Sequence, residues 1–275
     1  MLPILLLDGG LGTTLGSPPH SITFTSSTPL WSSHLLLSAP PTLTAVHRSF
    51  LTAGTDILLT ATYQTSFEGF TRTDPKFTCD DAARYMRSAI PLTRDAFAAL
   101  PDKPARLALS LGPYGATMSP VAAEYSGLYP EEIDSENALR KWHGERLRVF
   151  VEDDAAWDGV KYVVFETVRR ADEVKAIRGA VHDIPLGAKG RKPWWLCGVF
   201  PTEGVDEVHW DTVKKMKPGD WEGAILRGCC RAGPENIAAL RQRVDQTASF
   251  DRASNVKAID KQCIMARRTT RQHEH

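Results

Sequence analysis

The sequence has no excess charge of either sign. Over 275 residues, 33 Lys and Arg balance 33 Asp and Glu. That balance gives no electrostatic reason to expect nucleic acid or an anionic membrane as partner. Long hydrophobic runs are also missing. No stretch of about 18 apolar residues occurs, so no transmembrane helix is expected. The opening "MLPILLLDGG" lacks a basic leader and a small-residue cleavage site, so a first β-strand is expected there instead of a signal peptide. Cysteine is scarce. Cys79, Cys197, Cys229, Cys230 and Cys263 are odd in number and irregularly spaced. They do not read as a secreted disulfide framework, and a reducing, cytoplasmic setting is expected. The end of the chain, "KQCIMARRTTRQHEH", has no apolar period, and residues 245–275 are expected to form a polar, disordered tail.

The rest of the chain is 42% hydrophobic and patterned. Short apolar runs alternate with longer stretches of helical period. Strands are predicted over 4–8, 56–63, 106–115, 161–167, 193–200 and 223–230, and helices over 40–54, 80–100, 130–153, 170–183 and 234–244. Strands this apolar are buried on both faces, as in a parallel sheet, so the fold class is α/β, doubly wound or barrel. Function in either case sits at the carboxyl ends of the strands.

Those ends read Asp8-Gly9-Gly10, Thr60-Ala61-Thr62-Tyr63, Gly112-Pro113-Tyr114-Gly115, Phe165-Glu166-Thr167 and Gly228-Cys229-Cys230. Glycines after Asp8 allow a tight turn, or a close approach of backbone amides to a substrate carboxylate. Glu166 suits a structural ion pair or a substrate amine. Cys229 and Cys230 are buried thiols, a strained vicinal disulfide, or two soft ligands for zinc. "DGGLGTTLG" is not a dinucleotide-binding fingerprint. His47 and His143 fall in helical stretches and read as core or surface histidines.

Taken together, "LLLDGGLGTTL", "LWSSHLLLSAPPTLTAVHRSFLTAGTDILLTATYQTSFEGF", "LSLGPYGA", "AEYSGLYP", "HGERLRVF", "FETVRRADEVKAI" and "RGCCRAGPENIAAL" resemble the homocysteine S-methyltransferase family. The resemblance implies a zinc-dependent TIM (β/α)8-type barrel over residues 1–244. It implies methyl transfer from S-methylmethionine or S-adenosylmethionine to homocysteine. Zn2+ is the implied cofactor, with Cys229 and Cys230 as ligands. Asp8, Gly9 and Gly10 would hold the amino-acid end of homocysteine, Glu166 would receive its amino group, and Thr62 and Tyr63 would line its pocket. Tyr125 and Tyr129 are aromatic candidates beside a sulfonium, or ordinary loop packing.

The resemblance also implies a third ligand, from a Gly-(Ile/Val)-Asn-Cys motif that this chain does not contain. From Phe200 to Gly223 there are 22 intervening residues, fewer than the roughly 30 of one βαβ unit. About six strands are evident, so the barrel is expected to be incomplete, with its sixth and seventh strands missing near 201–222. Evolutionary loss or an erroneous exon boundary would account for the gap. Cys197 and His209 are the substitute ligands on offer. The alternative reading is an inactive homologue that at most binds an amino acid or a partner. A redox protein using a Cys229–Cys230 disulfide is a third.

Overall fold

A computed structural model describes residues 4–25, 28–98, 100–101, 105–118, 123–185, 190–198, 221–228, 232–249 and 262–268. Among these, β1 (Ile4–Leu6), β2 (Ile57–Leu59), β3 (Arg106–Leu111), β4 (Tyr162–Val168), β5 (Trp194–Gly198) and β6 (Trp221–Gly228) run parallel. They form two sheets, β6 beside β1 and β2 through β5 in sequence order, and a parallel bridge from Leu7 to Ile57 joins them. The protein is thus an α/β fold with a parallel sheet, as the apolar strand runs predict.

Helices connect the strands. α1 (Leu11–Gly16), α2 (Leu35–Ser38) and α3 (Pro40–Thr52) separate β1 from β2. α3 starts on prolines, whose missing N–H groups cost nothing in a first turn. α4 (Phe67–Thr73) and α5 (Cys79–Phe97) follow β2. In α5, Thr78 and Asp81 cap each other's backbone amides, and the helix runs through Pro91. α6 (Glu136–Val151) starts later than the predicted 130, because the Ser135 hydroxyl caps it by accepting from the Ala138 amide. α7 (Asp154–Gly159), α8 (Ala171–Asp183) and α9 (Pro234–Ser249) are the remaining α-helices among the described residues. Ile237 of α9 packs in one cluster with Leu43, Val46 and Phe50 of α3. The helix after β6 therefore lies in the same layer as the helix before β2.

The two faces of the sheet are filled differently. Leu107, Leu109, Val163 and Phe165 face Met86, Ile90, Leu147 and Phe150 of the helices. On the other face, Leu7, Ile57, Leu59, Ala108, Val164 and Cys197 pack on one another, with Leu5, Tyr162 and Trp195 at their edge. This second layer is built from strands alone.

Two elements differ from expectation. β2 ends at Leu59, not at residue 63, because the Thr60 hydroxyl replaces a ladder carbonyl and accepts the Ser110 amide at 3.0 Å. In the stretch read as a tail, α9 continues to Ser249, and β7 (Gln262–Arg268) pairs antiparallel with β6, Cys263 opposite Arg227. A strand edge is a template for an extended segment, and Gln262–Arg268 takes the edge of β6 away from β1. The connector over 201–220 lies outside the described residues.

Candidate active site

The four strands β1 to β4 change character within one residue. Leu7 gives way to Asp8, Leu59 to Thr60, Leu109 to Ser110 and Phe165 to Glu166. All four polar residues are buried, and all four line one cavity of about 390 Å³. A buried polar group is tolerable only when its hydrogen bonds are made. Here they are made between strands. An Asp8 carboxylate oxygen accepts the Leu59 amide at 2.9 Å. Thr62 donates to the Ser110 carbonyl at 2.7 Å. Its proton is thereby spent, so in the 2.6 Å contact between the two threonine hydroxyls Thr60 is the donor. The Ser110 hydroxyl donates to Glu166.

Tyr63 and Thr167 continue the wall. Burial first, and then the charge of Glu124, raise the Tyr63 phenol well above its ordinary value, so it stays neutral. Thr167 has φ 60°, an outlier for a β-branched residue, and sits where the β4–β5 register shifts between Phe165 and Val168. Strain of about 1–3 kcal/mol is held there. It lies next to Glu166, at the cavity.

A buried guanidinium supports the wall from behind. Arg146 of α6 is 2% exposed. It donates to the carbonyls of Gly112, Thr62 and Tyr63, each at 2.7 Å. Burial holds its pKa down, to about 9. Gly112 has room for nothing larger, since a Cβ there would stand 2.6 Å from the Tyr63 carbonyl oxygen.

Beside it, Glu173 of α8 accepts from the Tyr114 amide at 2.8 Å, the Tyr129 hydroxyl at 2.6 Å and His143 Nε2 at 2.9 Å. Burial raises Glu173, but these donors outweigh it and hold the carboxyl below its ordinary range. Burial lowers His143. An ionised carboxylate only accepts, so Nε2 of a neutral His143 carries the proton. This cluster ties α6 and α8 to the segment that carries Glu124 and Tyr125.

The sequence-predicted residues separate into three groups. Asp8, Gly9, Gly10, Tyr63 and Glu166 line the cavity together. Thr62 stands behind it, with its hydroxyl committed to Ser110. Of the loop amides expected to meet a substrate carboxylate, two are already used. Asp8 N–H donates to the Ile57 carbonyl at 3.1 Å and Gly10 N–H to the Ala232 carbonyl at 2.9 Å. The glycine at 9 is needed for that approach, since a Cβ there would lie 2.0 Å from the Ala232 oxygen.

Cys229, Cys230 and His209 lie outside the described residues. Cys197 lies in the apolar strand layer with Leu7, Ile57 and Val164, below the polar rim. Among the described residues, no three His, Cys, Asp or Glu side chains form a metal-binding group. Tyr125 lines the cavity. Tyr129 does not: its hydroxyl is held by Glu173, and its ring lies under the Arg170 guanidinium, 4.7 Å away. His47 is a core histidine between α3 and α5, and burial lowers it to about 4. Sequence reasoning missed Ser110, Glu124, Arg146 and Glu173. A serine in an apolar strand run is a detectable signal. A basic residue on an amphipathic helix is not, because most such residues are solvated.

Fold and cavity define an α/β protein with a ligand-sized hollow at the carboxyl ends of parallel strands, where such folds carry their chemistry. The homocysteine S-methyltransferase family model matches residues 5–218. The chain belongs to the homocysteine S-methyltransferase family. It is 34% identical over 251 residues to homocysteine S-methyltransferase 4 of Zea mays, covering 86% of this chain and 66% of the relative. A selenocysteine Se-methyltransferase of Brassica oleracea is 27% identical over 223 residues, covering 76% of this chain and 59% of the relative. The chain thus spans roughly three fifths to two thirds of these relatives. The structure resembles the metallated form of the homocysteine methyltransferase MmuM from Escherichia coli, with TM-score 0.64 and 21% identity, over 87% of this chain and 96% of that one. The likeness to the oxidised form has TM-score 0.66 and 22% identity. Among the described residues, no helix is long and apolar enough to cross a membrane.

Proposed function

We propose that the protein transfers a methyl group from a sulfonium donor, S-methylmethionine or S-adenosylmethionine, to homocysteine. The observation that carries this reading is the cavity in which Asp8, Gly9, Tyr63 and Glu166 converge. Glu166 receives the homocysteine ammonium in a charge-assisted bond, and Ser110, donating to it, fixes its orientation. The loop amide of Gly9 meets the carboxylate. The neutral Tyr63 phenol donates a hydrogen bond toward the substrate. The thiol gives up its proton to water. Its sulfur lone pair then forms the new S–CH3 bond as the donor's C–S bond breaks, and that bonding pair returns to the donor sulfur. Methionine and a neutral thioether leave.

Two observations support zinc held by Cys229 and Cys230. Gly228, one residue before the pair, continues the register that sets Leu226 against Leu6, and so reaches the level of Asp8. Ala232, two residues after the pair, accepts the Gly10 amide. Both flanks of the cysteines therefore abut the cavity loop, and thiolates are the donor type zinc prefers. When bound, zinc supplies deprotonation of the substrate thiol at neutral pH. A TIM-type barrel is supported by the strands-only layer on the inner face, which is how barrel interiors are filled.

The test is zinc per chain in the purified, folded protein, beside Cys229→Ser. Near-stoichiometric zinc that the substitution removes is the expected result. Zinc-free, folded wild-type protein would mean that the cysteine pair is no metal site, and would favour the inactive-homologue reading.

A further inference from the structure

The cavity wall holds a carboxylate that homocysteine does not need. Homocysteine brings one ammonium, and Glu166 answers it. Glu124 also lines the cavity and is 5% exposed. It comes from a different element, the short turn Ala123–Tyr125. Glu124, Glu166 and the Tyr63 phenol line the same cavity. The segment bearing Glu124 is fastened in place. Arg169 donates to the Tyr125 carbonyl, Arg170 donates to the Gly127 carbonyl at 3.3 Å, and Tyr129 donates to Glu173. Three acids, Asp8, Glu124 and Glu166, lie on the described cavity wall, whose other residues are neutral.

We propose that Glu124 selects the positively charged methyl donor over the neutral thioether it becomes. The inference rests on the methyl-transfer reading above. A sulfonium has no N–H or O–H to donate, so recognition of its charge must be coulombic or through aromatic faces. A fixed carboxylate on the cavity wall supplies the coulombic part, with the half-exposed Tyr125 ring next to it in the chain. The charge disappears when the C–S bond breaks and its electron pair returns to the donor sulfur. An interaction with that charge is therefore strongest in the ground state and weaker in the transition state. Glu124 consequently holds donor and releases product, and it does not accelerate the transfer itself.

The experiment is calorimetric titration of the full-length, zinc-loaded protein and its Glu124→Gln variant. The probes are homocysteine, S-methylmethionine and methionine. The last two share an ammonium and a carboxylate and differ in the sulfonium charge. The wild type is expected to bind S-methylmethionine about tenfold more tightly than methionine, a difference of about 1.4 kcal/mol. Glu124→Gln is expected to abolish that preference and leave homocysteine affinity within about twofold. In turnover, KM for the donor rises about tenfold while kcat does not fall. Equal weakening of S-methylmethionine and methionine would overturn the proposal, since Glu124 would then bind the shared ammonium. A preserved preference would overturn it as well. Failure of the wild type to bind homocysteine would instead sink the methyl-transfer reading on which it rests.

Discussion

The inner face of the sheet has a dry floor and a polar rim one residue apart. The floor, from Leu7 through Leu59, Ala108 and Val164 to Cys197, is filled by apolar side chains that pack on one another. The rim, from Asp8 through Thr60 and Ser110 to Glu166, is held by hydrogen bonds that cross from strand to strand. The floor can absorb a small change of shape at the cost of packing. The rim has no such tolerance, because each polar atom removed leaves a buried partner unsatisfied. The difference teaches where chemistry is affordable. A dry floor excludes water from below, and a wired rim keeps the cavity's polar groups aimed before any ligand arrives.

The sharpest way to break the rim without touching the floor is Arg146→Met. The side chain is similar in length, yet three carbonyls lose a charged donor at once; the Tyr63 carbonyl keeps the Gly112 amide and the Thr62 carbonyl keeps Thr65. Loss of about 1–3 kcal/mol is expected, the cost of a buried acceptor left unsatisfied, read as a fall in the urea midpoint at unchanged slope. A loss under about 1 kcal/mol would mean that the rim tolerates rearrangement as the floor does.

Acid sharpens the comparison from the helix layer. His47 has its folded pKa lowered from 6.5 to about 4 by burial. The unfolded chain therefore binds a proton between those values that the folded chain refuses. Stability from this group is intact above about pH 6.5 and is lost as pH falls toward 4. The shift corresponds to about 3 kcal/mol at most, at about 1.4 kcal/mol per pH unit. His143, also lowered by burial, adds to the loss in the same direction. His47→Leu is expected to flatten the pH dependence of stability between 6.5 and 4. An unchanged slope would place the acid sensitivity elsewhere.

Much of the fold was legible in the chain. Leu58, Leu109 and Val164 sit in runs too apolar for a one-sided sheet, and that pattern alone implies parallel strands covered on both faces. The rim was legible as strand ends, because Asp8 and Glu166 interrupt apolar runs where a core residue would continue. Thr60, by contrast, hides its role: its hydroxyl ends β2 early by standing in for a carbonyl, and threonine is common inside strands. Arg146 and Glu124 were illegible for a deeper reason. Each is set by contacts across many residues of sequence, such as Arg146 to Thr62, and no local period encodes those. The pairing of Gln262–Arg268 with β6 is of the same kind, decided by a free strand edge and not by the composition of the segment.

The most direct test of the account is the affinity of the full-length, zinc-loaded protein for homocysteine before and after Glu166→Gln. The substitution keeps volume and removes charge. A charge-assisted bond contributes about 1.5–3 kcal/mol, so the account predicts affinity weaker by roughly 10–100-fold, with the melting temperature nearly unchanged. Homocysteine binding that survives the substitution intact would contradict it, and would mean that the cavity at the strand ends is not where the amino acid sits.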